Sequence, residues 1–299
     1  MKKMLIVDGN SILNRAYYGI RPLTNKSGLY THAVYGMINI ISRYFDSVSP
    51  DYCVVAFDLK APTFRHKMYG EYKANRKGMP EELAVQLPYA KKAMAALGYF
   101  VVTKEGYEAD DILGTLSASA SLCGIKSYIL TGDRDSLQLI GDNVSVLLVK
   151  TKETIEFDRA VFFENYGITP EQFVDVKALM GDTSDHIPGV PGIGEKTAQS
   201  LIQNFGSLDG IYENIEDKRI TKGVREKLLR DKDNAYMSKT LATIITDAPL
   251  ERDLESLAVF RNLYIDDIFK FSNQTAVRFY AGKVGNFLSR SIADSSLAD

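Results

Sequence analysis

SYILTGDRD, residues 127–135, is an apolar run that stops at a glycine and two aspartates flanking an arginine. A short apolar run bounded by a turn residue reads as a buried strand. KMLIVDGN at 3–10 and YCVVAFD at 52–58 have the same form, with Asp8 and Asp58 at their ends. GYFVV at 98–102 and NVSVLLV at 143–149 read as further strands. Helical patterns fall between them, around 33–47, 81–97 and 108–123. That alternation predicts an α/β fold with a mostly parallel central sheet flanked by helices. The strand runs are nearly continuous in apolar residues, as expected where both faces of a sheet are covered.

Beyond about residue 159 the chain turns helical and polar. It carries the turn-rich stretch GDTSDHIPGVPGIGEK at 181–196 and the charged stretch DKRITKGVREKLLRDKD at 217–233. We therefore expect an α/β domain over 1–158 and a helical subdomain over 159–299, with a helix-hairpin-helix at about 182–215. There is no solenoid repeat and no low-complexity tract.

The 299 residues are 45% hydrophobic and 25% charged, enough for a substantial core. No run approaches the roughly 20 apolar residues of a membrane span, and the apolar stretch before Asp8 is too short for a signal sequence. No membrane association and a cytoplasmic location are the expectation. Cys53 and Cys123 have no zinc or disulfide pattern and read as buried.

Three strand-like runs end in acids: Asp8, Asp58, and Asp133 with Asp135. A lone aspartate there is a turn or a cap, but in an open parallel sheet the functional crevice lies outside the carboxyl ends of the strands. Glu108, Asp110 and Asp111 open a helical run, where they could complement the helix dipole, yet three acids in four residues repel unless cations offset them. Asp182 and Asp185 lie in a turn where Asx capping is the plain alternative. An all-oxygen donor set suits hard cations such as Mg²⁺ or Mn²⁺, whereas zinc would need the histidines, and His32, His66 and His186 stand in unrelated contexts. Two such ions can activate a water and stabilise a leaving oxygen in phosphodiester hydrolysis.

The formal net charge is -2, but setting these nine acids aside leaves 29 of the 38 against 36 Lys+Arg, an excess of 7 positive charges. A basic shell round an acidic centre fits a protein that holds phosphates and cations together. Lys60, Arg65, Lys67, Lys73, Arg76 and Lys77 face a single acid, Glu71, with Tyr69 and Tyr72 interleaved. This is either a solvated basic helix or a segment that neutralises phosphates while its tyrosines stack on unpaired bases. IPGVPGIGEKTAQSLIQNFGSL at 187–208 reads as two helices round a glycine turn, either simple packing or a phosphate grip. In the second case Gly189, Gly192 and Gly194 allow close backbone approach, with Lys196 and Thr197 assisting. The basic residues of 218–230 are a solvated face or a duplex contact in equal measure.

Five motifs occur in one order: LIVDGNSILNRAYY, FDLKAPTFRHKMYGEYKANRKGMPEEL, GYEADDILGTL, TGDRDSLQLI and MGDTSDHIPGVPGIGEKTAQSLIQNFGSLDGI. Together they make the chain, over roughly residues 3–255, resemble the bacterial 5′-3′ exonuclease and flap endonuclease family, which includes the N-terminal domain of DNA polymerase I. The resemblance implies a PIN-like 5′-nuclease fold with a helix-three-turn-helix element.

It also implies two-metal hydrolysis of DNA, leaving 5′-phosphate and 3′-hydroxyl ends, in replication and repair. Carried over residue by residue, the metal ligands would be Asp8, Asp58, Glu108, Asp110, Asp111, Asp133, Asp135, Asp182 and Asp185. Residues 60–80 would form an arch in which Lys73 and Arg76 meet the scissile phosphate, with Tyr72 beside them and Arg15 and Arg65 as further DNA contacts. The hairpin would grip duplex, with K⁺ at its turn carbonyls. Implied partners are DNA with 5′ flaps, nicked or frayed 5′ ends or RNA-primed strands, and a polymerase, linked or separate; the chain would act as a monomer. Two other readings stay open: a non-catalytic structure-specific DNA binder, and a PIN-like nuclease acting on RNA.

Overall fold

The computed structural model describes residues 1–250; the remainder of the expected helical part, 251–299, lies outside the described residues. Six strands, β1 (Lys3–Asp8), β2 (Tyr52–Ala56), β3 (Phe100–Val102), β4 (Lys126–Thr131), β5 (Val144–Val149) and β6 (Thr154–Phe157), form one sheet in the order β3-β2-β1-β4-β5-β6. All neighbours are parallel except β5 and β6. The expected mostly parallel sheet is present; the antiparallel edge strand β6, short and half-exposed, carries too weak an apolar signal to be read in advance.

The helices are α1 (Gly9–Gly19), α2 (His32–Val48), α3 (Phe64–Met68), α4 (Glu81–Ala84), α5 (Leu87–Ala96), α6 (Ala109–Leu122), α7 (Arg159–Tyr166), α8 (Phe173–Met180), α9 (Glu195–Phe205), α10 (Leu208–Glu213), α11 (Lys222–Arg230) and α12 (Lys232–Ala242). The single helix expected at 81–97 is two, parted at Val85–Gln86, because Pro88 in the first turn of α5 has no N–H to donate back to the preceding turn.

Alternation along each strand divides the interior in two. Met4, Ile6, Val54 and Ile129 face a core shared with α6 and with the helices after residue 158. Leu5, Val7, Val55 and Leu130 face a core shared with α1, α2 and α5. Each such side chain contributes about 1.5–3 kcal/mol by leaving water, so both faces of the sheet are held and its carboxyl edge is rigid. Cys53 is buried, and burial pushes its thiol pKa up; Cys123 is exposed, contrary to expectation, because it follows the last turn of α6 at the surface. Among the described residues no helix is long and apolar enough to cross a membrane.

Candidate active site

The strand register fixes where the acids lie. Asp8, the last residue of β1, pairs with Ala56 of β2. Its Oδ1 accepts the Ser11 N–H at 2.9 Å, capping α1, and its Oδ2 accepts the Thr131 hydroxyl from β4 at 2.8 Å. Asp58, two residues past β2, accepts the Ala109 N–H at 2.7 Å and so holds the start of α6 beside the sheet edge. Asp133, two residues past β4, caps the 3-10 turn Arg134–Leu139 through the Asp135 N–H at 2.9 Å. One cavity of about 620 Å³ at this edge is lined by Asp8, Asp58, Glu108, Asp110, Asp133, Asp135 and Asp185, together with Lys73 and Arg76.

Crowding these acids in a buried place disfavours their charged forms. Burial, with Asp58 and Asp133 adding to it, lifts Asp8 to about 7 against the bonds from Ser11 and Thr131. Burial, with Asp133 adding, lifts Asp135 to about 6, and burial and the neighbouring Asp8 and Asp133 hold Asp110 well above the carboxylate range. Burial and Glu108 also raise Asp58. Oδ1 of Asp110 is buried and accepts no hydrogen bond among the described residues. A buried carboxylate oxygen without a donor calls for a cation, and an all-oxygen set of this kind fits Mg²⁺ or Mn²⁺. The acids ring the cavity; among the described residues no three are already gathered round one point.

Three basic side chains stand on the outer carboxylates. Lys73 Nζ lies 2.7 Å from Glu108 Oε1 and 3.7 Å from Asp185 Oδ2, and Arg76 pairs with Asp185. Lys177 on α8, only 7% exposed, lies 2.7 Å from Asp135 and pairs with Asp182. Burial opposes the charge on Asp182, but Lys177 and Ser184 outweigh it and hold that carboxyl down at about 2. Sequence reading missed Lys177; the one signal was a lysine inside the mostly apolar run of α8.

The basic segment runs through α3 into a turn over residues 69–76 that docks on the loop 183–186. The Lys73 N–H donates to the Asp185 carbonyl at 2.9 Å, the Asn75 amide donates to the Thr183 carbonyl at 2.6 Å, and His186 Nδ1 lies 2.9 Å from the Glu71 carbonyl. Lys73 and His186 both have left-handed backbone, φ 58 and 57. For a residue with a Cβ that conformation costs about 1–2 kcal/mol and persists only where surroundings impose it.

Past the same loop, the Asp182 N–H donates to the Ile187 carbonyl at 2.9 Å and the Ile187 N–H returns the bond at 2.8 Å, closing the turn that leads into the hairpin. At the crest Gly192 has φ 85 and its carbonyl accepts the Lys227 ammonium of α11 at 2.9 Å. Gly194 caps α9, whose first turn exposes Lys196 and Thr197.

Residues 3–167 match the N-terminal resolvase-like domain of 5′-3′ exonucleases, and residues 168–262 match their C-terminal SAM fold. The chain belongs to the 5′-3′ exonuclease family. DNA polymerase I of Caldicellulosiruptor bescii is 46% identical over 263 residues, covering 85% of this chain and 30% of the relative. DNA polymerase I of Bacillus subtilis is 43% identical, covering 86% of this chain and 29% of the relative. The chain thus spans about a third or less of the curated relatives it matches. Among solved structures, the T5 D15 protein co-crystallised with metal ions superposes with a TM-score of 0.66 at 21% identity, covering 91% of this chain and 98% of that one. Flap endonuclease-1 from Methanococcus jannaschii gives 0.61 at 16% identity, covering 97% and 93%. These two likenesses establish a shared fold.

On this 5′-3′ exonuclease framework the sequence-predicted residues sort clearly. Seven of the nine acids line the cavity, and Asp182 joins them through Lys177. Asp111 does not: it is fully buried, and its oxygens take the Arg65 guanidinium and the N–H groups of Glu108 and Ile245. Arg65, expected on DNA, is 2% exposed and spends its donors inside the protein. Tyr72, expected as an aromatic beside the DNA, has a buried ring, with its hydroxyl donating to Glu108 at 2.9 Å. The Gly189 N–H, expected to face phosphate, donates instead to the buried Ser238 hydroxyl at 2.9 Å. Arg15 is half-buried, with its Nε on the Val149 carbonyl at 2.7 Å.

Proposed function

We propose that this 5′-3′ exonuclease family chain hydrolyses DNA phosphodiesters at 5′ ends and flaps with Mg²⁺, Mn²⁺ substituting, in replication and repair. One observation carries the reading: seven carboxylates ring a single cavity at the carboxyl edge of a mostly parallel sheet, Lys73 and Arg76 line it with them, and a buried Asp110 oxygen accepts no hydrogen bond among the described residues. Asp8, Asp58, Glu108, Asp110, Asp133, Asp135, Asp182 and Asp185 would hold two ions. Such ions supply an activated water and stabilise charge on the leaving oxygen.

The chain's own groups do the rest. Lys73 and Arg76, freed from Glu108 and Asp185 by the incoming charge, orient and neutralise the phosphate. The α9 N-terminus, with Gly194, Lys196 and Thr197, holds a duplex phosphate without reading bases. Arg15 is a further backbone contact on this reading. Residues 1–158 would carry most of the ion ligands and the arch, and the helical part after them would add Asp182 and Asp185 and the duplex grip. K⁺ on the turn carbonyls of the hairpin stays part of this reading, with no step assigned to it; among those carbonyls, that of Gly192 accepts the Lys227 ammonium.

A polymerase, covalently joined or separate, is the expected partner, since the polymerase I relatives extend well beyond the matched part. Relatives of the fold that carry DNA in their structures include the catalytic core of Rad2 and a T5 D15 pseudo-enzyme-product complex, and they support DNA as substrate.

The test is a product-length assay with and without Mg²⁺ on 5′-labelled and 3′-labelled flap, nicked and blunt DNA, beside a matched RNA flap. Mg²⁺-dependent shortening at the 5′ junction of DNA is the expected result. Retarded but intact DNA would mean a binding module, and preference for the RNA flap a ribonuclease.

A further inference from the structure

Arg65 lines the cavity yet is only 2% exposed, Asp111 beside it is fully buried, and their bonding is complete. A guanidinium has five N–H donors and a carboxylate about four acceptor sites. Arg65 Nε donates to the Leu241 carbonyl at 2.9 Å. Its Nη1 donates to Asp111 Oδ2 at 2.8 Å and Glu108 Oε2 at 3.3 Å. Its Nη2 donates to Asp111 Oδ1 at 2.8 Å and the Thr243 carbonyl at 2.7 Å. Every guanidinium donor is spent.

Asp111 takes two of those bonds and two more, from the Glu108 N–H at 3.0 Å and the Ile245 N–H at 2.9 Å. It retains no lone pair for an ion, and Arg65 no donor for a phosphate. Three segments far apart in sequence meet at this pair: α3 at the base of the arch, the first turn of α6, and residues 241–245 leaving α12. Above it, Glu108 accepts the Tyr72 hydroxyl at 2.9 Å and the Lys73 ammonium at 2.7 Å.

We propose that Arg65 and Asp111 are a positioning couple and belong to neither the ion-binding nor the DNA-binding set. The couple clips the arch and α6 to the 241–245 strap, and through Glu108 it sets where Tyr72 and Lys73 stand over the cavity. A buried ion pair contributes little net stability but leaves a costly unpaired charge if one member is misplaced, so it enforces a single arrangement of the segments it joins. An apolar contact would let α3 slide. The inference rests on the catalytic reading of the cavity, but its geometry stands apart from turnover.

Two conservative variants test it. Arg65→Lys keeps the charge and loses the planar fork. It is expected to lower the flap-cleavage rate at saturating Mg²⁺ by about tenfold or more, with the Mg²⁺ concentration for half-maximal rate unchanged within about twofold. In the DNA-free protein, amide hydrogen exchange should quicken by about tenfold at Lys73 and Ile245, while Leu5 to Val7 in β1 keep their protection. A merely destabilised fold would lose both.

Asp111→Asn should leave calorimetric Mn²⁺ affinity within about twofold of the parent, whereas Asp110→Asn should weaken it by about tenfold or more. If Asp111→Asn weakens Mn²⁺ binding as much as Asp110→Asn does, Asp111 is a ligand and the proposal falls. Unchanged Lys73 exchange and cleavage in Arg65→Lys would equally overturn it. Should Asp111→Asn fail to fold, Arg65→Lys still decides by exchange. The exchange and ion-binding readouts need no DNA, so a parent protein that left DNA flaps intact would sink the functional reading alone.

Discussion

Holding Asp8 and Asp135 ionised in a crowded cavity costs free energy, and the cost should show as a fall in metal-free stability with rising pH. Both acids titrate higher in the folded protein than in the unfolded chain, Asp8 at about 7 and Asp135 at about 6, in each case first because of burial. The folded state then holds protons that the unfolded chain has already released. The contribution of these two groups is therefore fully present below the ordinary aspartate value and is lost as pH rises toward about 7. From about pH 5.5 to 8, at roughly 1.4 kcal/mol per unit, Asp8 accounts for about 2 kcal/mol and Asp135 for under about 1. Asp110 and Asp58 act in the same direction. For a chain of this size, some 2–3 kcal/mol amounts to a drop in Tm of roughly 3–5 °C.

Thermal melts in EDTA and in saturating Mg²⁺, at fixed ionic strength across that window, measure it. In EDTA the Tm should fall by the stated amount; with Mg²⁺ the fall should vanish, because the ion binds the ionised carboxylates and stabilises more as pH rises. His32, whose pKa burial lowers, titrates in the opposite sense, so the comparison that counts is with Asp8→Asn, which should lose most of the slope. A slope in EDTA that is the same in the parent and in Asp8→Asn, or an Mg²⁺ stabilisation that ignores pH, would refute the reasoning.

Asp133→Ala and Asp185→Ala should each abolish Mg²⁺-dependent shortening of a 5′ flap while a gel shift still detects DNA binding; near-normal turnover would remove them from the ion site. Lys73→Ala should cut the single-turnover cleavage rate by about 10²- to 10³-fold at saturating Mg²⁺, and a change under about threefold would deny Lys73 its phosphate. Gly189→Ala places a Cβ 2.3 Å from the Gly181 nitrogen at φ 60, so it should lose about 2–5 kcal/mol in denaturant melts and loosen the hairpin. Lys196→Ala should lower the slope of log affinity against log salt for duplex DNA by about one, equally for unrelated sequences.

The parallel sheet and its acid-tipped edge were legible because strand runs and their terminal aspartates are local signals. Asp8, Asp58 and Asp133 need only a strand to end where it does, and the register then brings them together. Side chains committed to distant partners were not legible. Arg65 sits in a basic segment that reads as a DNA surface, and nothing local says that its donors go to the carbonyls of Leu241 and Thr243, more than 170 residues away. Tyr72 and Gly189 misled for the same reason, the first through Glu108 and the second through Ser238. Asp111 did carry a signal: it stands three residues after Glu108, and the two make a capping box, each side chain on the other's N–H.

That capping box points to a rule for acids in a site of this kind. Asp8 caps α1, Asp58 holds the first N–H of α6 and Asp133 caps the turn after β4, yet all three line the cavity, so on the proposed reading capping by itself does not disqualify a ligand. What separates them from Asp111 is what remains after the cap is made. Asp8 has one backbone and one hydroxyl donor on two oxygens, both neutral, and faces the cavity with lone pairs to spare. Asp111 has its charge matched by a fully engaged guanidinium and all its acceptor sites filled. The charge of Asp111 is answered by a guanidinium whose every donor is fixed inside the fold, which leaves it nothing for a divalent ion, whereas the partners of Glu108, Asp135, Asp182 and Asp185 at the cavity include Lys73, Arg76 and Lys177. Asp110, one residue earlier on the same turn, has a buried oxygen that nothing answers. On the proposed reading, adjacent residues of one sequence motif thus divide into a structural clip and an ion ligand according to what each side chain already holds.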